Sequence, residues 1–156
     1  MDKRISTFIK TLKEKQVTVA FAESVTCGLA AHKLSTCPGT SEVFVGSIVC
    51  YTEEVKKKLF GVSSKCIENF TCESMEVTQA LAKKLPSLLQ ADVYAAVTGL
   101  ASAGGSETYE KPVGTIFFCI YYKQKFYKKI RHFKGSPLTI RKKACIELYR
   151  FVLSKL

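Results

Sequence analysis

A chain of 156 residues, 47% of them hydrophobic and spread along its length, has room for one well-buried core and little for a second. It has no low-complexity tract, collagen-like period or recognisable repeat, which excludes fibrous, disordered and solenoid classes and predicts a single domain over 1–156. The net charge of +11 raises nucleic acid as a partner, yet the cations are scattered except in "VKKKLF" at 55–60 and "KFYKKIRHFK" at 125–134. The second cluster alternates charged and apolar residues like an exposed strand. A positive field serves a small phosphorylated substrate equally well, so no specific nucleic-acid partner is expected.

The N-terminal stretch "MDKRISTFIKTLKEKQ" carries charges every few residues and reads as neither signal peptide nor anchor. No later apolar run approaches about 18 residues, which predicts a cytoplasmic protein without membrane association. Ile5, Phe8, Ile9 and Leu12 recur at helical spacing and predict an amphipathic helix over 3–15. "VTVAFA" at 17–22 reads as a buried strand. Thr26 to Ser35 then reads as a helix that ends before Pro38-Gly39, and "SIVCY" at 47–51 as a second strand.

A long helix is expected from Thr71 or Glu73 to Leu89, kinked or ended by Pro86. "DVYAAVTG" at 92–99 supplies a third strand, and "VGTIFFCIYY" with "KFYKKIRHF" a hairpin turning near Lys123-Gln124. Ser136-Pro137 opens a terminal helix whose Ile140, Ala144, Leu148 and Phe151 or Val152 face the core. Helices alternating with strands, followed by a hairpin, predict a mixed sheet covered on both faces.

Seven cysteines, at 27, 37, 50, 66, 72, 119 and 145, include no Cys-x-x-Cys pair. Buried free thiols in a reducing compartment are expected. With His32 and His132 the only histidines, neither a zinc site nor a cofactor is expected. Ser24 follows the first strand and Thr98-Gly99 the third. If these strands are parallel neighbours, both polar loops lie on the carboxyl edge of the sheet, where α/β proteins hold ligands.

Three stretches, "AESVTCG" at 22–28, "PGTSEVFVGSIVCYTEEVKKKLFGV" at 38–62 and "AVTGLASAGGSETYEKPVG" at 96–114, together resemble the CinA C-terminal domain family. That family includes nicotinamide-nucleotide amidohydrolases. The resemblance covers nearly the whole chain in the family's order. It implies a three-layer α/β/α fold with a mixed, mostly parallel sheet, often dimeric. It also implies metal-free hydrolysis of the carboxamide of nicotinamide mononucleotide to nicotinate mononucleotide and ammonia. Residues matching the family's active site are Ser24, Ser41, Tyr51, Lys56 and Thr98.

Amide hydrolysis without metal or histidine needs a nucleophile and a base, and a Ser–Lys pair supplies both when the amine is partly neutral. A free lysine titrates near ~10.4, so such a pair needs burial or positive neighbours, for which Lys57 and Lys58 are candidates. Ser41 is read as the nucleophile, Lys56 as its base and Tyr51 as proton relay or orienting group. Ser24 is expected to bind the carboxamide, the phosphate or the lysine. Backbone N–H groups at the Gly39–Ser41 turn, or from Ser24 through Thr26 to Gly28, would receive the oxyanion. Thr98 and Gly99 would line the substrate site.

Geometry sets a condition. Were 42–51 one straight strand, Ser41 and Tyr51 would lie about 30 Å apart. A break at Gly46, with 41–45 folded back, is therefore expected.

The family usually has two glycines where this chain has Cys27-Gly28, and continues its Thr-Gly loop as Ala-Gly-Pro where this chain has Ala101-Ser102-Ala103. It also carries an arginine where Pro137 stands, which leaves Arg141 or Lys134 to hold a substrate phosphate. These departures suit an alternative reading, a non-catalytic nucleotide-binding or interaction protein of the same fold.

Overall fold

The computed structural model describes residues 2–156. Helix α1 (Lys3–Lys15) buries Ile5, Phe8, Ile9 and Leu12, the stripe expected from their spacing. Asp2 caps it, accepting the Arg4 N–H, and Gln16 closes it in a left-handed conformation. Strand β1 (Val19–Glu23) is buried along its whole length. A tight turn leads to α2 (Leu29–Ser35), and a single 3-10 turn at Thr40–Glu42 leads to β2 (Phe44–Val49).

Three helices then follow: α3 (Glu53–Phe60), α4 (Ser64–Phe70) and α5 (Met75–Lys84). Pro86 sits in a 3-10 turn at Leu85–Ser87 that ends the last of them. Strand β3 (Val93–Gly99) is followed by the hairpin β4 (Thr115–Tyr122) and β5 (Lys125–His132). Lys123 and Gln124 both have positive φ there, as a two-residue hairpin turn demands. Helix α6 (Pro137–Leu153), capped by Ser136, completes the chain.

The strands form one sheet in the order β2-β1-β3-β4-β5. Neighbours β2-β1 and β1-β3 are parallel, while β3-β4 and β4-β5 are antiparallel. The sheet is therefore mixed, with β4 alone running against the other strands. Alternation sorts the strand side chains. Val19, Phe21, Val93, Val97, Ile116 and Phe118 join α1 and α6 in one core, and Ala20, Ala22, Tyr94, Ala96 and Cys119 join α5 in the other. This is the expected three-layer α/β/α arrangement. Among the described residues no helix is long and apolar enough to cross a membrane.

Several local expectations need correction. Cys27 (φ 49°) and Gly28 (φ 87°) both adopt the left-handed region, which α-helix cannot continue, so α2 begins at Leu29 rather than Thr26. The helix expected from Thr71 or Glu73 to Leu89 is shorter, running as α5 from Met75 to Lys84, and α4 before it, ended by Thr71 at φ 66°, is an additional helix. Gly46 does not fold the chain back: it stays inside β2, and the register shift there leaves Val45 without a partner in β1. Cys27 is exposed and Cys66 and Cys72 are half-buried, whereas the other four thiols are buried.

Candidate active site

Ser24 is placed by the sheet itself. Its N–H donates to the Val97 carbonyl of β3 (3.0 Å), and the next rung on the other side is the Cys50 N–H donating to the Glu23 carbonyl (2.8 Å). The serine thus emerges at the carboxyl edge between two parallel neighbours of β1, with Thr98-Gly99 beside it. This is the shared edge anticipated from the sequence.

The chain leaves β2 through Cys50 and Tyr51 and enters α3 at Thr52, whose Oγ1 caps the helix by accepting the Val55 N–H. One turn in, Lys56 points back under the strand ends and is 1% exposed. Its Nζ donates to the carbonyls of Cys50 (2.9 Å) and Tyr51 (3.0 Å) and reaches Ser24 Oγ at 3.1 Å. No carboxylate lies within 4 Å of this amine among the described residues. Lys57 and Lys58 turn outward and pair with Glu53 and Glu54. Burial pushes the Cys50 thiol up to about 11, so it stays neutral beside the lysine.

The geometry leaves a choice only at the third position of the amine. Two N–H bonds are bound to fixed backbone carbonyls, so the remaining direction faces Ser24. There an ammonium donates to Oγ, and a neutral amine accepts the Ser24 O–H in the same place. Such a contact can move a proton without moving a side chain.

Glu23 holds the turn that carries Ser24. Its fully buried carboxylate accepts Thr26 Oγ1 (2.7 Å), Ser47 Oγ (2.8 Å) and the N–H groups of Ala30 (3.0 Å) and Ala31 (2.9 Å). It caps α2 and ties that helix to β2. Sequence reasoning assigned Glu23 no role. The available signal was a glutamate closing an otherwise apolar strand just before a helix. The N–H groups of Val25 and Thr26 have no acceptor among the described residues, which makes them candidate oxyanion donors next to Ser24.

A cleft of about 210 Å³ opens over Ser24, bounded by Val25, Tyr51, Glu73, Arg141 and the backbone from Gly99 to Gly105. Arg141 is anchored there by its Nε, which donates to the Val25 carbonyl (3.0 Å). Gly99 leads the chain out of β3 where a Cβ would collide with the Thr115 carbonyl and Ile116, so no other residue fits at this strand end. Thr98 is fully buried and shares a hydrogen bond with Thr78 (2.7 Å), supporting the strand end from below. Tyr51 lines the cleft and is 57% exposed, and it is its carbonyl, not its phenol, that orients Lys56. The Thr26 hydroxyl is committed to Glu23, and Gly28 faces Val49 rather than the cleft.

Ser41 and Gly39 are not brought to this site. They precede Phe44, which pairs with Val19 at the start of β1, whereas Ser24 follows Glu23, which pairs with Val49 at its end. At about 3.3 Å per residue the length of the strand, some ~15 Å, separates them. Because Gly46 does not turn the chain back, the expected Ser41–Lys56 pair does not form within one chain. Ser24 takes that place.

The fold and site define an α/β/α domain with a lysine–serine pair at the carboxyl edge of its parallel strands. The chain belongs to the CinA C-terminal domain family, whose model matches residues 2–156. It is 42% identical over 113 residues to a CinA-like protein of Pseudothermotoga lettingae, covering 72% of this chain and 27% of the relative. It is 37% identical over 139 residues to a putative competence-damage inducible protein of Clostridioides difficile, covering 89% and 33%. The chain thus spans about a third of the length of the curated relatives it matches. Among solved structures, a CinA superfamily protein of Escherichia coli matches with a TM-score of 0.90 at 27% identity, covering 100% of this chain and 93% of that one.

Proposed function

We propose that this chain is an amidohydrolase that converts nicotinamide mononucleotide to nicotinate mononucleotide and ammonia, with Ser24 as nucleophile and Lys56 as its base. The observation that carries the reading is the hydrogen bond between the enclosed Lys56 amine and Ser24 Oγ, at the floor of a cleft. Lys56 takes the Ser24 proton as Oγ attacks the carboxamide carbon, and the Val25 and Thr26 N–H groups receive the oxyanion. The same proton passes to the departing nitrogen, which leaves as ammonia. Water then attacks the acyl-serine ester, giving its proton to Lys56, and Ser24 regains a proton as the carboxylate departs. The sum is amide plus water to carboxylate plus ammonia.

Arg141 is suited to the substrate phosphate, since its anchored Nε leaves the outer guanidinium nitrogens for an anion. In this reading the enzyme acts in the cytoplasm as a dimer, the second copy covering the β2 edge, where Val45 and Val49 are exposed. The alternative, a nucleotide-binding protein without catalysis, draws on Cys27, a non-glycine residue in a left-handed turn next to the site.

Ammonia release from nicotinamide mononucleotide tests the proposal. Wild type is expected to turn over, equally with and without EDTA. Ser24→Ala and Lys56→Met are each expected to lose at least ~1,000-fold in kcat while still binding nucleotide. Binding without turnover in the wild type would favour the alternative.

A further inference from the structure

The cleft that Arg141 lines also holds a single carboxylate, Glu73, in the turn that precedes α5. It is held from behind by a relay. Lys111 Nζ donates to Thr71 Oγ1 (2.7 Å), to the Glu73 carbonyl (3.1 Å) and to Ser106 Oγ (2.8 Å), and the Ser106 hydroxyl donates to Glu73 Oε2. The three donors of the ammonium are all used on oxygens other than the Glu73 carboxylate. Ser106 stands between the two charges, and no cation lies within 4 Å of the carboxylate among the described residues. Glu73 Oε1 receives no hydrogen bond from the described residues, which leaves an acceptor on a residue that lines the cleft.

The loop bearing Ser106 and Lys111 is itself braced, because Glu107 accepts the N–H groups of Gly104 (2.7 Å) and Gly105 (2.8 Å). The cleft wall from Gly99 to Lys111 is thereby tied to the α4–α5 turn at the point where Glu73 enters the site. A small cleft lined by both an anchored guanidinium and a carboxylate without a directly paired cation is complementary to a substrate carrying both signs of charge.

We infer that Glu73, positioned by Ser106 and Lys111, is a specificity-determining residue of this cleft that selects a cationic ring, as in an N-substituted pyridinium nucleotide, over its uncharged counterpart. The inference rests on the deamidase reading for the identity of the substrate. Its recognition half can be measured without turnover.

The probes are nicotinamide mononucleotide and its reduced, uncharged dihydropyridine form, which share the carboxamide, ribose and phosphate. Their binding to the full chain is measured by calorimetry, with ammonia release followed in parallel, for wild type, Glu73→Gln and Glu73→Asp. Glutamine keeps an acceptor for Ser106 and for sugar hydroxyls and removes only the charge, and melting temperatures check folding.

Wild type is expected to prefer the cationic form by about tenfold, Gln to lose that preference through weaker binding of the cationic form alone, and Asp to retain much of it. The inference is overturned if Gln weakens both forms equally, which would indicate hydroxyl recognition, or if it leaves the preference intact. It is overturned as well if neither form binds. A preference lost in Gln without any ammonia release would support the role of Glu73 and defeat the deamidase reading. Turnover with an unchanged preference would do the reverse.

Discussion

Lysine is among the residues least often found fully enclosed, and Lys56 lies in its helix beside two ordinary solvent-facing lysines. Its sequence neighbourhood, "EEVKKKLF", therefore reads as a solvated helix face, and only the path of α3 under the strand ends distinguishes it from Lys57 and Lys58. The same contrast separates the two serines. Ser24 is held on the sheet by a backbone hydrogen bond and faces the amine, while Ser41 is exposed in a 3-10 turn at the far edge. Replacing Ser41 by Ala is expected to change turnover by no more than about twofold, as for surface substitutions generally. Steady-state rates of Ser24→Ala and Ser41→Ala measured side by side decide this. A hundredfold loss at Ser41 would mean that a second copy carries this turn to the cleft.

Among the elements, α1 shows how local chemistry sets a boundary. The Asp2 side chain accepts the Arg4 N–H and pairs with its guanidinium at 2.8 Å, which holds the carboxyl down at about 2. A carboxylate whose folded pKa lies below its unfolded value, ~3.9, contributes stability above that value and loses it as pH falls through the folded one. Asp2→Asn keeps a capping oxygen but not the charge, so its melting temperature should lie below wild type at neutral pH. The gap should close between about pH 4 and pH 2. Thermal melts of both proteins across that range check this, and a gap independent of pH would remove the ion pair from the account. Helix α4 shows the reverse case: its seven residues bury only Ile67, too little periodic signal to mark a helix by pattern alone.

For the whole molecule, the excess of cations makes a diffuse positive field that attracts phosphate-bearing ligands without specifying one. Binding to duplex DNA is expected to be weak, independent of sequence, and to fall steeply with salt as condensed counterions are retained. Fluorescence titrations from 50 to about 200 mM salt test this, and a tight complex at the upper end would assign the field to nucleic acid. The cation-rich strand β5, set at the open edge of the sheet and largely exposed, accounts for one cluster as a solvated strand face.

What the sequence determined by itself was whatever depends on neighbours along the chain. The stripe of α1, the buried runs of β1 and β3, the hairpin at Lys123-Gln124 and the Ser136-Pro137 helix start are local, and each was found where its pattern placed it. Family motifs also pointed to a few candidate site residues along the chain. Tertiary structure decided which of those residues meet. Ser24 and Lys56 lie 32 positions apart and are joined by the parallel pairing of β1 with β2 and by the return of α3, a register that no single-chain pattern encodes. It likewise decided that Glu23 is buried with four partners, that Thr98 rests on Thr78, and that Glu73 is reached by Lys111 across 38 positions. Polar groups in a core are placed by the partners they must satisfy. Those partners come from other elements, so their pairing is settled only once the sheet and its helices are assembled.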